Sequence, residues 1–163
     1  MALHTASAII SFFSRLEEQA AKFYRGAAEN DKYAAGRETF LALAQENHTQ
    51  KAMMRRVYQE VITDAFEACF SFPNLHEDAY RMDSELTDTL SYTEVLAKAI
   101  TLEETSYNFC TEASEKSKTL LAGIPQAFQR VATRKAKRKL LLQSLLDTEA
   151  PSVAKRDYSP STR

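Results

Sequence analysis

The sequence predicts an all-α protein, one bundle of four helices set as two helical hairpins joined by a long crossover. Three observations predict it. Glycine and proline are scarce, three and four in 163 residues, while the good helix formers Ala, Leu, Glu, Lys and Gln are plentiful. Apolar residues recur at spacings of three and four over four separate stretches. The second half of the chain also repeats the first. A chain of this length suits one domain with a sizeable core. Residues 1–150 are assigned to that bundle, and 151–163 are expected to form a polar, disordered tail.

The first helix is predicted from about Thr5 to Asn30, with Ile9, Phe13, Leu16, Ala20, Phe23 and Ala27 as its inner stripe. Asn30-Asp31 interrupts it. A second helix is expected from about Ala35 to Glu67, its stripe marked by Phe40, Leu43, Met54, Val57 and Val61. From Cys69 to Leu90 the pattern lapses, and Pro73-Asn74 is a turn signal. Ser91-Tyr92-Thr93-Glu94 reads as a capping box opening a third helix that runs to about Ser117. Gly123 and Pro125 punctuate before a fourth helix, which should end near Asp147. Short links make antiparallel neighbours, whereas a link of roughly 20 residues can cross the length of a bundle.

The internal repeat agrees with this division. Leu16-Glu17-Glu18 with Phe23 and Ala27 matches Leu102-Glu103-Glu104 with Phe109 and Ala113, at a constant offset of 86. Phe40 with Ala44 matches Phe128 with Ala132 at an offset of 88.

Charge and composition exclude several roles. With 21 basic and 22 acidic residues, the formal net charge is −1, so the field of the whole chain steers no particular partner. Arg130, Arg134, Lys135, Lys137, Arg138 and Lys139 make helix four basic. No aromatic residues are interleaved with them for base stacking, so the reading is a solvated face and no nucleic acid. No window approaches 18 apolar residues, which argues against a membrane span. Met1 to Phe13 lacks an early Lys or Arg and reads as the first turns of a helix, not a signal peptide. Cys69 and Cys110 stand alone, without metal-type spacing. They are expected to pack as small apolar side chains in a protein of the reducing cytoplasm.

Leu16-Glu17-x-x-Ala20-x-x-Phe23-Tyr24 resembles the first-helix motif of rubrerythrin-type proteins of the ferritin-like superfamily. Phe40-x-x-Leu43-Ala44, continuing through Met54 to Val57-Tyr58, resembles their second helix. The resemblance covers about residues 5 to 147. It implies a ferritin-like bundle with a di-iron carboxylate site: a Glu from each of helices one and three, and a Glu-x-x-His pair from each of helices two and four. Carried over without gaps, the single ligands fall on Glu17 and Glu103, and both are retained. The helix-two pair falls on Asn47 and Gln50, and the helix-four pair on Lys135 and Arg138, so four of the six positions have lost the ligand residue.

Periodicity points all six positions inward. Glu17 shares a stripe with Phe13, Ala20 and Tyr24, and Glu103 with Leu96, Ala99, Ser106 and Cys110. Asn47 and Gln50 lie between Leu43 and Met54, and Lys135 and Arg138 between Val131 and Leu142. A di-iron centre needs several anionic oxygens and neutral imidazoles. This set offers two carboxylates, two amides and two cations, and a protonated Lys or Arg cannot ligate. The two cations match the two glutamates in charge, so the expectation is a buried ion network with no resident metal. If a metal binds, Glu17 and Glu103 are its ligands and iron is the cofactor.

Rival constellations are weaker. Glu46 and His48 lie about 200° apart on a helix and cannot share a site without a register shift. His4, His48 and His76 read as surface histidines, and His76-Glu77-Asp78 as solvated loop residues. Tyr24 and Tyr107 read as core aromatics whose hydroxyls seek partners. Phe66, Phe70, Phe72 and Tyr80 are expected to cap the core, with apolar contacts to a small ligand as the alternative. No Ser-His-Asp or Cys-His catalytic set, phosphate loop or CxxC module is present. The expected function is a non-catalytic binding or structural module, no catalytic residue being assigned. The alternative is a di-iron oxidoreductase acting on peroxide or oxygen with atypical ligands. A homodimer is implied by the resemblance alone.

Overall fold

The structure, a computed structural model, describes residues 1–62, 72, 74–118 and 123–156, without the side chains of 150–156. Four helices account for most of these: α1 (Ala6–Glu29), α2 (Arg37–Val61), α3 (Tyr92–Lys116) and α4 (Ile124–Arg156). Among the described residues the only β pairing is an isolated bridge between Ala2 and His76. No helix there is long and apolar enough to cross a membrane.

The starts of α1 and α3 carry side-chain caps. The Thr5 side chain accepts the Ala8 N–H at 3.1 Å and so satisfies one of the free amides of the first turn of α1. A 3-10 turn, Asp31–Gly36, then reverses the chain, with the Asn30 side chain accepting from the Lys32 N–H. Gly36 ends that turn under crowding: a Cβ there would lie 2.8 Å from the Phe40 ring and 2.8 Å from the Tyr92 hydroxyl. At α3 the Ser91 oxygen accepts the Glu94 N–H while Glu94 accepts the Ser91 N–H, so the predicted capping box is present.

Helix ends depart from the sequence reading. α2 stops at Val61, where Ile62 turns extended, before the expected Glu67; residues 63–71 lie outside those described. Val61-Ile62-Thr63 is a β-branched run, which lowers helix propensity at that point. α4 continues past Asp147 to Arg156, so the segment 151–156, assigned to the tail, is helical. Pro151 costs one rung of the backbone ladder there, and the helix formers on both sides outweigh it. Residues 157–163 lie outside those described.

α1 packs mainly on α2, and α3 on α4; α2 also packs on α4 and α1 on α3. Tyr92, at the start of α3, meets Phe40 and Tyr33 near the start of α2, with ring centroids 6.3 and 6.5 Å apart. Gly123, just before α4, lies against Val57 near the other end of α2. The described part of the connecting segment follows α1 between these two ends. The Leu3 N–H donates to the Leu75 carbonyl (2.8 Å), Gln19 Nε2 to the Met82 carbonyl (3.0 Å) and the Tyr33 hydroxyl to the Leu90 carbonyl (2.7 Å).

His76, Glu77 and Asp78 tie the N-terminus down. Arg15 pairs with Glu77 at 2.6 Å, and Asp78 takes both the terminal ammonium (3.2 Å) and Arg81 (2.8 Å). Phe72 and Tyr80 are buried, as core-capping residues should be; Phe66, Phe70 and Cys69 lie outside the described residues. Tyr107 differs from expectation: it is 38% exposed, because its position on α3 turns away from the stripe of Glu103, Ser106 and Cys110.

The core is split into two apolar clusters. One holds Phe12, Phe13, Phe109 and Phe128; the other holds Phe23, Tyr24, Phe40 and Leu142. Phe109 is fully buried and sets its ring 5.0 Å from Phe12, 5.2 Å from Tyr80 and 6.1 Å from Phe128. Phe109→Ala should therefore cost about 3–5 kcal/mol in urea unfolding, and Tyr107→Ala less than about 0.5 kcal/mol.

Candidate functional site

Each of the four helices crosses from one apolar cluster to the other at a polar residue: Glu17 on α1, Asn47 and Gln50 on α2, Glu103 on α3, Lys135 and Arg138 on α4. All six are buried, Arg138 at 4% exposure being the most open. They form the polar middle layer of the bundle. The repeat extends to them, since Asn47 and Gln50 stand 88 residues before Lys135 and Arg138.

Lys135 is the hub. Its ammonium lies 2.8 Å from Glu17 Oε1 as a charge contact and donates an aligned hydrogen bond to Glu17 Oε2 at 3.0 Å. It also donates to Asn47 Oδ1 at 3.4 Å and stands 3.9 Å from Glu103 Oε2. Arg138 takes the other carboxylate, with Nη2 at 3.0 Å from Glu103 Oε1, and donates to the Leu43 carbonyl at 3.3 Å. Asn47 Nδ2 donates to the Glu17 backbone carbonyl at 3.4 Å. Each carboxylate thus has its own cation, and each cation also reaches an uncharged acceptor.

Two further residues complete the layer. The Tyr24 hydroxyl donates to Glu103 Oε1 at 2.5 Å, and the Arg138 guanidinium lies 5.6 Å from the Tyr24 ring centre. The partner that the Tyr24 hydroxyl needs in the core is Glu103. Glu46 was not placed here by sequence reasoning, which weighed it only as a displaced metal ligand. It accepts from Gln50 Nε2 at 3.2 Å, pairs with Arg134 at 3.2 Å and lies 3.9 Å from Arg138 Nε. Its spacing of four from Gln50 was the available signal. His48 is on the surface, as are His4 and His76.

The electrostatics follow from burial and pairing. Desolvation pushes the Glu17 carboxyl above its ordinary value, against the pull of Lys135 and Arg138. Burial and the neighbouring Glu103 charge hold the Tyr24 phenol well above the usual range, so it stays a donor. For Arg138 burial opposes the charge, but Glu103, Tyr24, Glu17 and Glu46 more than offset it and its pKa rises. Cys110, beside the layer, is buried with its thiol pushed up by desolvation, an inert packing residue.

The donor set does not fit a pair of divalent metals. The ammonium already spans the two carboxylates, and the guanidinium holds Glu103 from the other side. Among the described residues no three of His, Cys, Asp or Glu gather at one point. Comparison with protein-family models, with curated proteins and with solved structures finds no match for this chain.

A network of this kind adds little net stability, because desolvation offsets attraction, yet removing one member strands its partner. Lys135→Met should cost about 3–5 kcal/mol in chemical unfolding, whereas Lys135→Met with Glu17→Gln should cost clearly less than the sum of the single changes. Strictly additive losses would mean that the two are not coupled. Glu17 also imposes a pH dependence. Its carboxyl, raised from 4.5 in the fold, holds its proton more tightly there than in the unfolded chain. Its contribution to stability is therefore complete below pH 4.5 and is lost as pH climbs through the raised value. Unfolding free energies measured from pH 4.5 upward should fall more steeply for the wild type than for Glu17→Gln.

Proposed function

We propose that this protein is a ferritin-like bundle, related to the rubrerythrins, in which an ion network occupies the positions of a di-iron site. It serves as a non-catalytic binding or structural module. The observation that carries this reading is the Lys135 ammonium, 2.8 Å from Glu17 and 3.9 Å from Glu103, the two glutamates at the retained ligand positions. A fixed cation between two buried carboxylates supplies the counter-charge that a metal would supply.

Three features support the relationship. The helices pair first with second and third with fourth, and the start of α3 lies at the opposite end of α2 from the start of α4, as two hairpins joined by a crossover require. Equivalent positions of the repeat are buried alike: Glu17 and Glu103, Phe40 and Phe128, Ala27 and Ala113. The six positions of the resemblance all fall in one layer. The same relationship favours a homodimer through helix faces.

Metal analysis of protein purified from iron-supplemented cells tests this. The expected result is no stoichiometric iron and an unfolding curve unchanged by a chelator. Two irons per chain, lost in the Glu17→Gln and Glu103→Gln double variant, would overturn it and restore a di-iron oxidoreductase.

A further inference from the structure

Two buried oxygens on the α3 side of the middle layer have no hydrogen-bond partner, Glu103 Oε2 and Ser106 Oγ, on residues 1% and 2% exposed. Such atoms are costly in a low dielectric and are nearly always satisfied by protein or by ordered water. On the same helix Thr101 and Thr105 return their hydroxyls to the carbonyl four residues back, the usual refuge of a helical hydroxyl. Ser106 does not take it. Ser106 stands three residues after Glu103, so both side chains leave α3 on the inward face, one turn apart.

A donor lies across from them. The Lys135 ammonium carries three N–H groups. Its hydrogen bonds go to Glu17 Oε2 at 3.0 Å and Asn47 Oδ1 at 3.4 Å, while Glu17 Oε1 at 2.8 Å is a charge contact only. One N–H is left, and Glu103 Oε2 stands 3.9 Å from the nitrogen. That is too long for a direct hydrogen bond, and it is a separation that one bridging molecule spans. The bridge must accept from the ammonium and donate to the carboxylate. An anion has nothing to donate and a metal cation nothing to accept with, whereas a neutral hydroxyl does both. Glu17, Glu103 and Lys135 are at most 1% exposed, and the inward neighbours Ala20, Ala99, Ser106 and Cys110 are small and buried. The bridge is therefore enclosed, and of neutral hydroxyl compounds water is the smallest.

We propose that the middle layer is the binding site of one resident water, which accepts from Lys135 Nζ, donates to Glu103 Oε2 and takes Ser106 Oγ as its third partner. Three hydrogen bonds are the usual complement of a buried water. The inference rests on the ion network of the reading above and deepens it. Through the water the ammonium serves both carboxylates, although it is hydrogen-bonded directly only to Glu17.

Two measurements on the full chain, purified without added iron, test this. A high-resolution crystal structure should show the water within about 3.2 Å of Lys135 Nζ, Glu103 Oε2 and Ser106 Oγ. In solution, relaxation dispersion of water oxygen-17 and deuterons counts the waters held longer than the protein takes to tumble. Ser106→Val, which sets two methyl groups in place of the hydroxyl, should lower that signal by the share of one water. Ser106→Ala, which folds without needing extra room, should keep the water but shorten its residence about fivefold, as the loss of one hydrogen bond implies. A direct Lys135–Glu103 bond with no water between them, a Ser106 hydroxyl returned to the Leu102 carbonyl, or the same slow-water signal and residence in both variants would overturn the proposal. Iron in place of the ammonium would overturn the ion network as well. An iron-free layer with Lys135 and Glu17 still paired but no water beside them would overturn this inference alone.

Discussion

Two carboxylates and two cations share the middle of this bundle with almost no access to water, and each must be neutralised by another. That constraint organises the rest. Glu17 and Glu103 come from different hairpins, and both cations come from α4. Lys135 reaches across to α1 and α2, Arg138 to α3 and α2. The electrostatic demand therefore sets the relative register of all four helices. An axial slip of one helix by a single turn, about 5.4 Å, would strand at least one charge.

The apolar clusters on either side make this demand stricter. Aromatic rings pack above and below the polar layer, Phe13 edge to face against Phe128 at one end and Tyr24 stacked on Phe40 at the other. They exclude water and lower the local dielectric, which strengthens each pairing and raises the cost of leaving any group unpaired. Tyr24 serves both purposes, its ring in the apolar cluster and its hydroxyl on Glu103. Specificity of packing, more than net stability, is what such a layer contributes.

The bundle and its inward residues were legible in the sequence because helical periodicity is a local property. Glu17 falls on the stripe of Phe13 and Ala20, and Lys135 falls between Val131 and Leu142; a residue on an apolar stripe is turned inward whatever its own polarity. Helix starts were legible where a cap declares itself, as at Thr5 and Ser91. The ends were less so. Nothing local marks Val61 as the end of α2 beyond a short β-branched run, and Pro151 suggests a stop that the helix passes. Tyr107 stands one position from the inward stripe residue Ser106, and one step on a helix is about 100°, which turns its ring toward the surface.

By itself the sequence determined that the six polar positions on the apolar stripes face inward, that their charges cancel, and that the two halves are alike, since all three depend only on spacing and residue type. Only the tertiary structure decided who pairs with whom. Lys135 could have taken either glutamate and takes Glu17 most closely; Glu103 goes to Arg138 and Tyr24. Glu46 joins from the rim, and the Ser106 hydroxyl is left without a protein partner. Those outcomes depend on the rotation and height of each helix against its neighbours. Such quantities are fixed by how side chains from distant parts of the chain fill a shared space, and no local pattern encodes them.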